Sequence, residues 1–407
     1  MDYPPSQWER IMQIHDVFTK AQRKQLTWRE AAEILKIDER TVRRWKQTVE
    51  ANGYEGLLDK RTRRPSPKRA PATIKNQVLK LYRDQYKDWN VQHFYEQLAK
   101  HGIGYKYTWV KNLLQGASYV EVRSRRSKHR QRRPRKPLPG MMLHIDGSTH
   151  RWIPDLPGFQ DLIIVADDAT NDIYYAKLVP QENTRECMLA LRHTVRSKGV
   201  FCSIYSDRAS HFFRTPPASP KVDLSNLTQI GRALYELGIE PIPAYSPQAR
   251  GRSERIFGTW QGRLPNEFKL NGIKTVPDAN RYILETFLPK YRAAFTKLSE
   301  QKGSAFTPYR GRSLDLVFSI KEQRSVGCDN TVHWNNRILQ IQPSKFRISF
   351  AKCKVTVHEL LDQSVTITYG PHTIAKFRPE ETQESKTTKN QKRTNHVLQK
   401  ADILTCC

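Results

Sequence analysis

The chain has 407 residues, with 69 Lys and Arg against 40 Asp and Glu and a formal charge of +29. At roughly 100–200 residues per domain this length predicts two to four domains and excludes a small disulfide-stapled scaffold. The charge excess calls for a polyanionic partner, nucleic acid first. The longest uniformly apolar run, Leu162 to Ala166, falls far short of the ~18 residues of a membrane span. The opening MDYPPSQWER has neither the basic nor the apolar region of a secretion signal. A soluble cytoplasmic protein is therefore expected. Its six cysteines, Cys187, Cys202, Cys328, Cys353, Cys406 and Cys407, show no C-x-x-C pairing and no nearby H-x-x-x-H, so neither a disulfide framework nor a zinc site is expected.

Residues 1–140 hold 32 basic against 14 acidic side chains, so the front third is the more basic part. Residues 1–60 predict a helix-turn-helix. Thr27-Trp-Arg-Glu30 has the form of a capping box and precedes the apolar stripe Ala31, Ala32, Ile34 and Leu35. After a tight turn at Lys36-Ile37, Asp38 caps a second helix with Val42, Trp45 and Val49 inward. Arg40, Thr41, Arg43, Arg44, Lys46 and Gln47 face outward as the DNA-reading surface. A basic linker, 61–71, leads to a second helical DNA-binding domain, 72–120, where Asn90 caps one helix and Thr108 opens another. A second linker, 121–140, carries nine Lys or Arg between Arg123 and Lys136. Of these Arg125, Arg126, Arg130, Arg132 and Arg133 are taken to track phosphates, because so dense a run of cations repels itself unless a polyanion neutralises it.

From 141 to 300 strands and helices alternate, which predicts an α/β core. Strands are expected at Met142–Ile145, Asp161–Ala166, Ile173–Leu178, Cys202–Tyr205 and Glu240–Pro243, with helices near 184–197, 226–237, 252–269 and 277–297. Short β-rich runs over 325–378 read as a small β-barrel, and 379–407, nearly without apolar residues, as a disordered tail.

Asp146 is expected where the chain leaves the first strand at Gly147, Asp207 after the strand ending at Tyr205, and Glu254 in the first turn of a helix. Taken singly, each is better explained as a turn former or a dipole partner. Together they supply three hard oxygen donors at one sheet edge. Such donors suit two Mg²⁺ or Mn²⁺ ions clamping the attacking and leaving oxygens of a phosphoryl displacement. His144 reads equally as a contact to a metal-bound water or as a packed strand residue. Asp167 and Asp168 read as turn formers, and Ile256, Phe257, Trp260 and Leu264 as the buried stripe of the Glu254 helix.

The segments Leu-His-Ile-Asp146-Gly-Ser, Ile-Val-Ala-Asp-Asp168-Ala-Thr, Tyr-Ser-Asp207-Arg-Ala-Ser and Tyr-Ser-Pro-Gln-Ala-Arg-Gly-Arg-Ser-Glu254-Arg-Ile-Phe-Gly-Thr resemble the integrase catalytic core of bacterial insertion-sequence transposases, the ISNCY-type group. The resemblance implies an RNase H-like core, a catalytic and metal-binding triad of Asp146, Asp207 and Glu254, and DNA cleavage followed by strand transfer of a 3′-hydroxyl. It also implies element ends and target DNA as partners, no membrane, a location on the bacterial nucleoid, and at least a dimer, since two DNA ends are coupled. Two features depart from the pattern. Asp207 and Glu254 are separated by 46 residues, with the excess placed in a loop over 213–228, and Gln261 stands where relatives carry a basic residue. Arg250, Arg252, Arg255 or Arg263 are the candidates to replace that contact. Two rival readings keep the same front: a regulator with an inactive core, and an RNase H-like nuclease or resolvase that does not join strands.

Overall fold

A computed structural model of the chain describes residues 5–58, 69–122, 134–216, 221–223, 225–245, 251–311, 313–345 and 347–379. Expectations for Arg125, Arg126, Arg130, Arg132, Arg133, Arg250 and the tail from 380 lie outside the described residues. The chain falls into two compact units, Met1–Gln85 with Asn112–Tyr119, and Tyr86–Lys111 with Val120–Cys407. Among the described residues no helix is long and apolar enough to cross a membrane.

The first unit carries α1 (Pro5–Gln22), α2 (Trp28–Leu35), α3 (Glu39–Asn52) and α4 (Ala72–Gln85). The capping box forms in full: the Glu30 N–H donates to the Thr27 hydroxyl at 3.2 Å and the Thr27 N–H to Oε2 of Glu30 at 2.7 Å, which settles two of the helix's orphan donors. Lys36 turns the chain in the left-handed conformation at φ 51°, and Asp38 accepts from the Arg40 N–H. Phe18, Ile14, Ala32 and Val42 form the core over which Trp45 and Val49 pack. Ile34 departs from its expected place and is 54% exposed. The face that meets α1 and α3 runs through positions 28, 31, 32 and 35, and Ile34 lies off that arc.

The second unit is built on β1 (Leu143–His150), β2 (Gln160–Asp167), β3 (Ile173–Val179), β4 (Ser203–Ser206) and β5 (Glu240–Pro243). They form one sheet in the order β3-β2-β1-β4-β5, the first three antiparallel and β4 and β5 parallel to β1. Alternation sorts their side chains to two faces. Leu143, Ile145, Ile163 and Val165 join Cys187, Leu191 and Leu234 of α7 (Thr184–Lys198) and α8 (Gln229–Glu236). Leu162, Ile164, Ala176 and Leu178 join Phe257, Trp260, Phe268 and Phe287 on the other side. That second layer is α9 (Ser253–Gln261), α10 (Leu264–Leu270), α11 (Val276–Tyr282) and α12 (Leu288–Phe295), with a π-helical turn at Ile283–Phe287. The expected single helix over 252–269 is thus broken in two at Pro265, which sits in the first turn of α10 because its ring cannot continue a helix interior.

Two further expectations need correction. The unit boundary runs through 72–120: α5 (Val91–Leu98) belongs to the core unit, and α6 (Tyr107–Gly116) straddles the boundary. His93 on α5 pairs with Glu267 on α10 at 2.8 Å and Arg263 with Glu96 at 2.7 Å. Among the described residues the C-terminal part forms no closed barrel. It is a sheet ordered β11-β10-β9-β6 and a separate hairpin β7-β8, with ranges β6 Ile320–Ser325, β7 Thr331–Trp334, β8 Arg337–Gln340, β9 Lys354–Glu359, β10 Val365–Tyr369 and β11 His372–Phe377. β6 and β11 carry little alternating apolar signal, since IKEQRS and HTIAKF are mostly half-buried or exposed.

Burial alone raises the Glu267 carboxyl, but hydrogen bonds from His93 and Tyr282 outweigh it and bring its pKa down to about 2. A carboxylate depressed in the folded state adds stability that is present above its ordinary value of 4.5 and is lost as pH falls through about 2. Unfolding midpoints of the full chain should therefore drop across that window, and Glu267→Gln should flatten the drop. An unchanged slope in the variant would assign the acid sensitivity elsewhere.

Candidate active site

The parallel pairing of β1 with β4 is short: Leu143 meets Ile204 and His144 meets Tyr205. Asp146 and Asp207 therefore stand at the same offset, two residues past the last pair, Asp146 within β1 and Asp207 one residue beyond the end of β4. The chain does not leave the sheet at Gly147 as expected. β1 runs on to His150, paired with β2 as far as Gln160, so Asp146 lies within a strand that has lost one of its two neighbours. It is 9% exposed. Asp207 is half-buried and accepts from the Ala209 N–H at 3.0 Å.

His144, Asp146 and Ser148 share the face of β1 that looks toward α9, since their odd-numbered neighbours Leu143 and Ile145 fill the opposite core. Gln261, near the end of α9, donates to the Ser148 hydroxyl at 3.0 Å. Glu254, Gly258 and Gln261 recur at i, i+4 and i+7 and so form one stripe of α9. A Cβ at Gly258 would meet nothing within 4 Å, and Glu254 is exposed. The ligand atoms of Asp146, Asp207 and Glu254 are not all within 4.8 Å of one another; among the described residues the group that meets this condition is Glu182, Cys187 and His211.

The start of α9 is fixed by a buried carboxylate. Asp168, fully buried, accepts from the Lys136 N–H at 2.8 Å, pairs with Nε2 of His144 at 2.8 Å and with the guanidinium of Arg252. Burial opposes the charge, yet the bonds from His144, Lys136 and Arg252 prevail and hold the carboxyl well below its ordinary range. Arg252 also donates to the Pro134 carbonyl at 3.0 Å, and Arg135 to the carbonyls of Asp168 and Ala169. Asp167 makes the turn expected of it, accepting from Ala169, Thr170 and Gly140. Asp168, also expected as a turn former, is instead the anchor of a charge network.

Arg252, expected on DNA, is turned inward to Asp168, and Arg263 is held by Glu96. Arg255 is exposed beside Glu254. On α3 Arg40, Arg43, Arg44 and Gln47 are exposed, while Thr41 is half-buried and Lys46 lies over the Trp28 ring at 5.0 Å.

Sequence reasoning missed Glu182. Its Oε1 accepts from the Cys187 thiol at 3.3 Å and bonds Nε2 of His211 at 3.1 Å, and its other oxygen lies where a Cβ of residue 147 would stand. Burial first, then the Glu182 charge, raises the Cys187 thiol far above its ordinary value. The one legible signal was Gly147, which clears room for Glu182.

A helix-turn-helix domain family matches residues 17–66. The chain is similar to two curated bacterial proteins over most of its length. One, from Sinorhizobium fredii and carrying the description "Putative transposase y4bF", is 29% identical over 378 residues, 90% of this chain and 80% of the relative. The transposase for insertion sequence IS1202 of Streptococcus pneumoniae is 29% identical over 342 residues, 74% of this chain and 72% of that protein. Among solved structures, the simian T-cell lymphotropic virus intasome with PP2A regulatory subunit B56 gamma matches 70% of this chain and 95% of its own at 14% identity and a TM-score of 0.33. The HTLV-2 integrase catalytic core with magnesium matches 37% and 88% at 14% identity and a TM-score of 0.28.

Removing Asp168 strands Arg252 and His144 without their acceptor. Asp168→Ala should cost about 3 kcal/mol, the scale of breaking a buried ion pair, read as a shifted urea midpoint. A loss below about 1 kcal/mol would mean that Arg252 finds solvent instead.

Proposed function

We propose that the chain is a DDE transposase with an RNase H-like core, which cleaves DNA at the ends of an insertion sequence and joins the freed 3′-hydroxyl to target DNA. The observation that carries this reading is the equal offset of Asp146 and Asp207 from the last pair of the adjacent parallel strands β1 and β4, together with a helix that bears Glu254 and is tied to β1 through Gln261 and Ser148. The similarity to named transposases supports it. Three carboxylates are hard oxygen donors, and this donor set fits Mg²⁺ or Mn²⁺. Asp146, Asp207 and Glu254 would hold two such ions, which supply Lewis-acid stabilisation of the phosphoryl charge.

The chain's own groups do the rest. The Asp168 network fixes the start of α9 and hence Glu254, and Gln261 sets the height of that helix over β1. Arg255 takes the phosphate contact that Gln261 does not make, with Arg250 five residues before it in sequence. No side chain needs to attack phosphorus, since water and then the 3′-hydroxyl are the nucleophiles. Arg40, Arg43, Arg44 and Gln47 read the element ends, with Thr41 and Lys46 at the margin of that surface. Coupling two ends requires at least a dimer on DNA.

Pre-cleaved end duplex, plasmid and Mn²⁺ should give joined molecules with the native chain. Asp146→Asn, Asp207→Asn and Glu254→Gln should each reduce joining to the level of DNA alone while end binding persists. Joining at the native rate in any of them sinks the triad. On uncleaved end duplex assayed alongside, cleaved but unjoined products from the native chain would favour the nuclease, and binding without cleavage the regulator. Arg43→Ala should lower the slope of log affinity against log salt by about 0.9, the share of one neutralised phosphate. An unaltered slope removes Arg43 from the interface.

A further inference from the structure

We propose that Glu182, Cys187 and His211 form a binding site for a single transition-metal ion of the zinc class, on the face of the sheet opposite Asp146. The site goes beyond the transposase reading and uses none of its three carboxylates. Its donors come from three places in the fold: Glu182 from the turn after β3, Cys187 from the first turn of α7, and His211 from the loop four residues beyond Asp207. They converge on one spot. Oε1 of Glu182 lies 3.3 Å from Sγ of Cys187 and 3.1 Å from Nε2 of His211, and all three ligand atoms fall within 4.8 Å of one another. A tetrahedral zinc ion with bonds of about 2.0 Å to oxygen or nitrogen and about 2.3 Å to sulfur spaces its ligands about 3.3–3.5 Å apart, so little movement is needed.

The donor chemistry selects the ion. Thiolate and imidazole suit zinc, whereas Mg²⁺ and Mn²⁺ prefer oxygen. A thiolate and a carboxylate neutralise a divalent cation, and the thiol proton leaves to solvent as the ion binds. Three protein ligands leave a fourth position for water, and the partly exposed His211 and Glu182 side chains, 17% and 22% accessible, give it a route in.

The surroundings are arranged for Glu182. Its N–H donates to Oδ2 of Asp161 at 2.6 Å, while Oδ1 of Asp161 accepts from the Thr149 hydroxyl at 2.6 Å. This ties the ligand to both β1 and β2. A Cβ at Gly147 would stand 1.9 Å from Oε2 of Glu182, so any larger residue at 147 would push this carboxylate out of its present seat. An ion held here would fix the loop that carries Asp207.

The test is Co²⁺ titration of the full chain after dialysis against chelator. The native protein should take up one Co²⁺ that shows a thiolate charge-transfer band and is displaced by Zn²⁺. Cys187→Ser should lose the band, and Asp161→Asn should weaken binding about 10–100-fold, as loss of an outer-shell partner does. Cys202→Ser, Asp146→Asn and Glu254→Gln should keep the band, which separates this site from the proposed catalytic one. Absence of a thiolate band in the native chain overturns the proposal whatever the variants do, and so does a band that survives Cys187→Ser.

Discussion

A charged carboxylate with no access to water has to be surrounded by donors, and Asp168 meets that demand by gathering the core around itself. It draws in the entering backbone at Lys136, the first strand through His144 and the start of α9 through Arg252. Taking such a group out of water costs several kcal/mol, so the arrangement persists only with every partner in place. The position of Glu254, two residues after Arg252, is inherited from this bond set. Folding and chemistry are therefore joined at a residue that would touch neither metal nor DNA in the proposed reaction.

The unequal lengths of the strands do a second kind of positioning. β4 ends at Ser206 while β1 continues to His150 along β2. The gap left beside β1 is where Asp146 looks out on one face and where Glu182 fits against Gly147 on the other. Glycine here serves close approach, not turning, and the antiparallel register of β1 and β2 runs through it without a break.

Much of this was legible in the sequence. The strands of the core were legible in place, although the end of β1 was missed by five residues, because Leu-Ile-Ile-Val-Ala is a short β-branched run of the kind a covered sheet carries. The capping box at Thr27 and Glu30 was equally plain, because both partners lie within one helical turn. What failed to show were effects of distance along the chain. Nothing local marks Arg252 for Asp168, 84 residues away, or His93 for Glu267, 174 residues away. Arg252 read as a DNA contact for that reason, and α5 as part of a helical domain rather than of the core. Asp-Gly at 146–147 read as a strand exit because turn chemistry is a local prior, and here tertiary pairing with β2 overrides it. Glu182, Cys187 and His211 follow no short spacing, so the absence of C-x-x-C said nothing about them. The small barrel failed because β6 and β11 lack the alternation that would have revealed a four-stranded sheet.

The C-terminal sheet keeps its own apolar interior, from Val332 and Trp334 to Val365 and Ile367. It meets α7 and α8 largely through polar links: Arg185 with Glu359, Lys321 with Glu236, and Gln229 with the backbone of Lys321. Leu361 is its apolar peg in the neighbouring core. Charge pairs and hydrogen bonds thus surround a single apolar peg at this seam. The attachment of the β-rich segment therefore answers to ionic strength, which screens charge pairs, more than a purely apolar joint would.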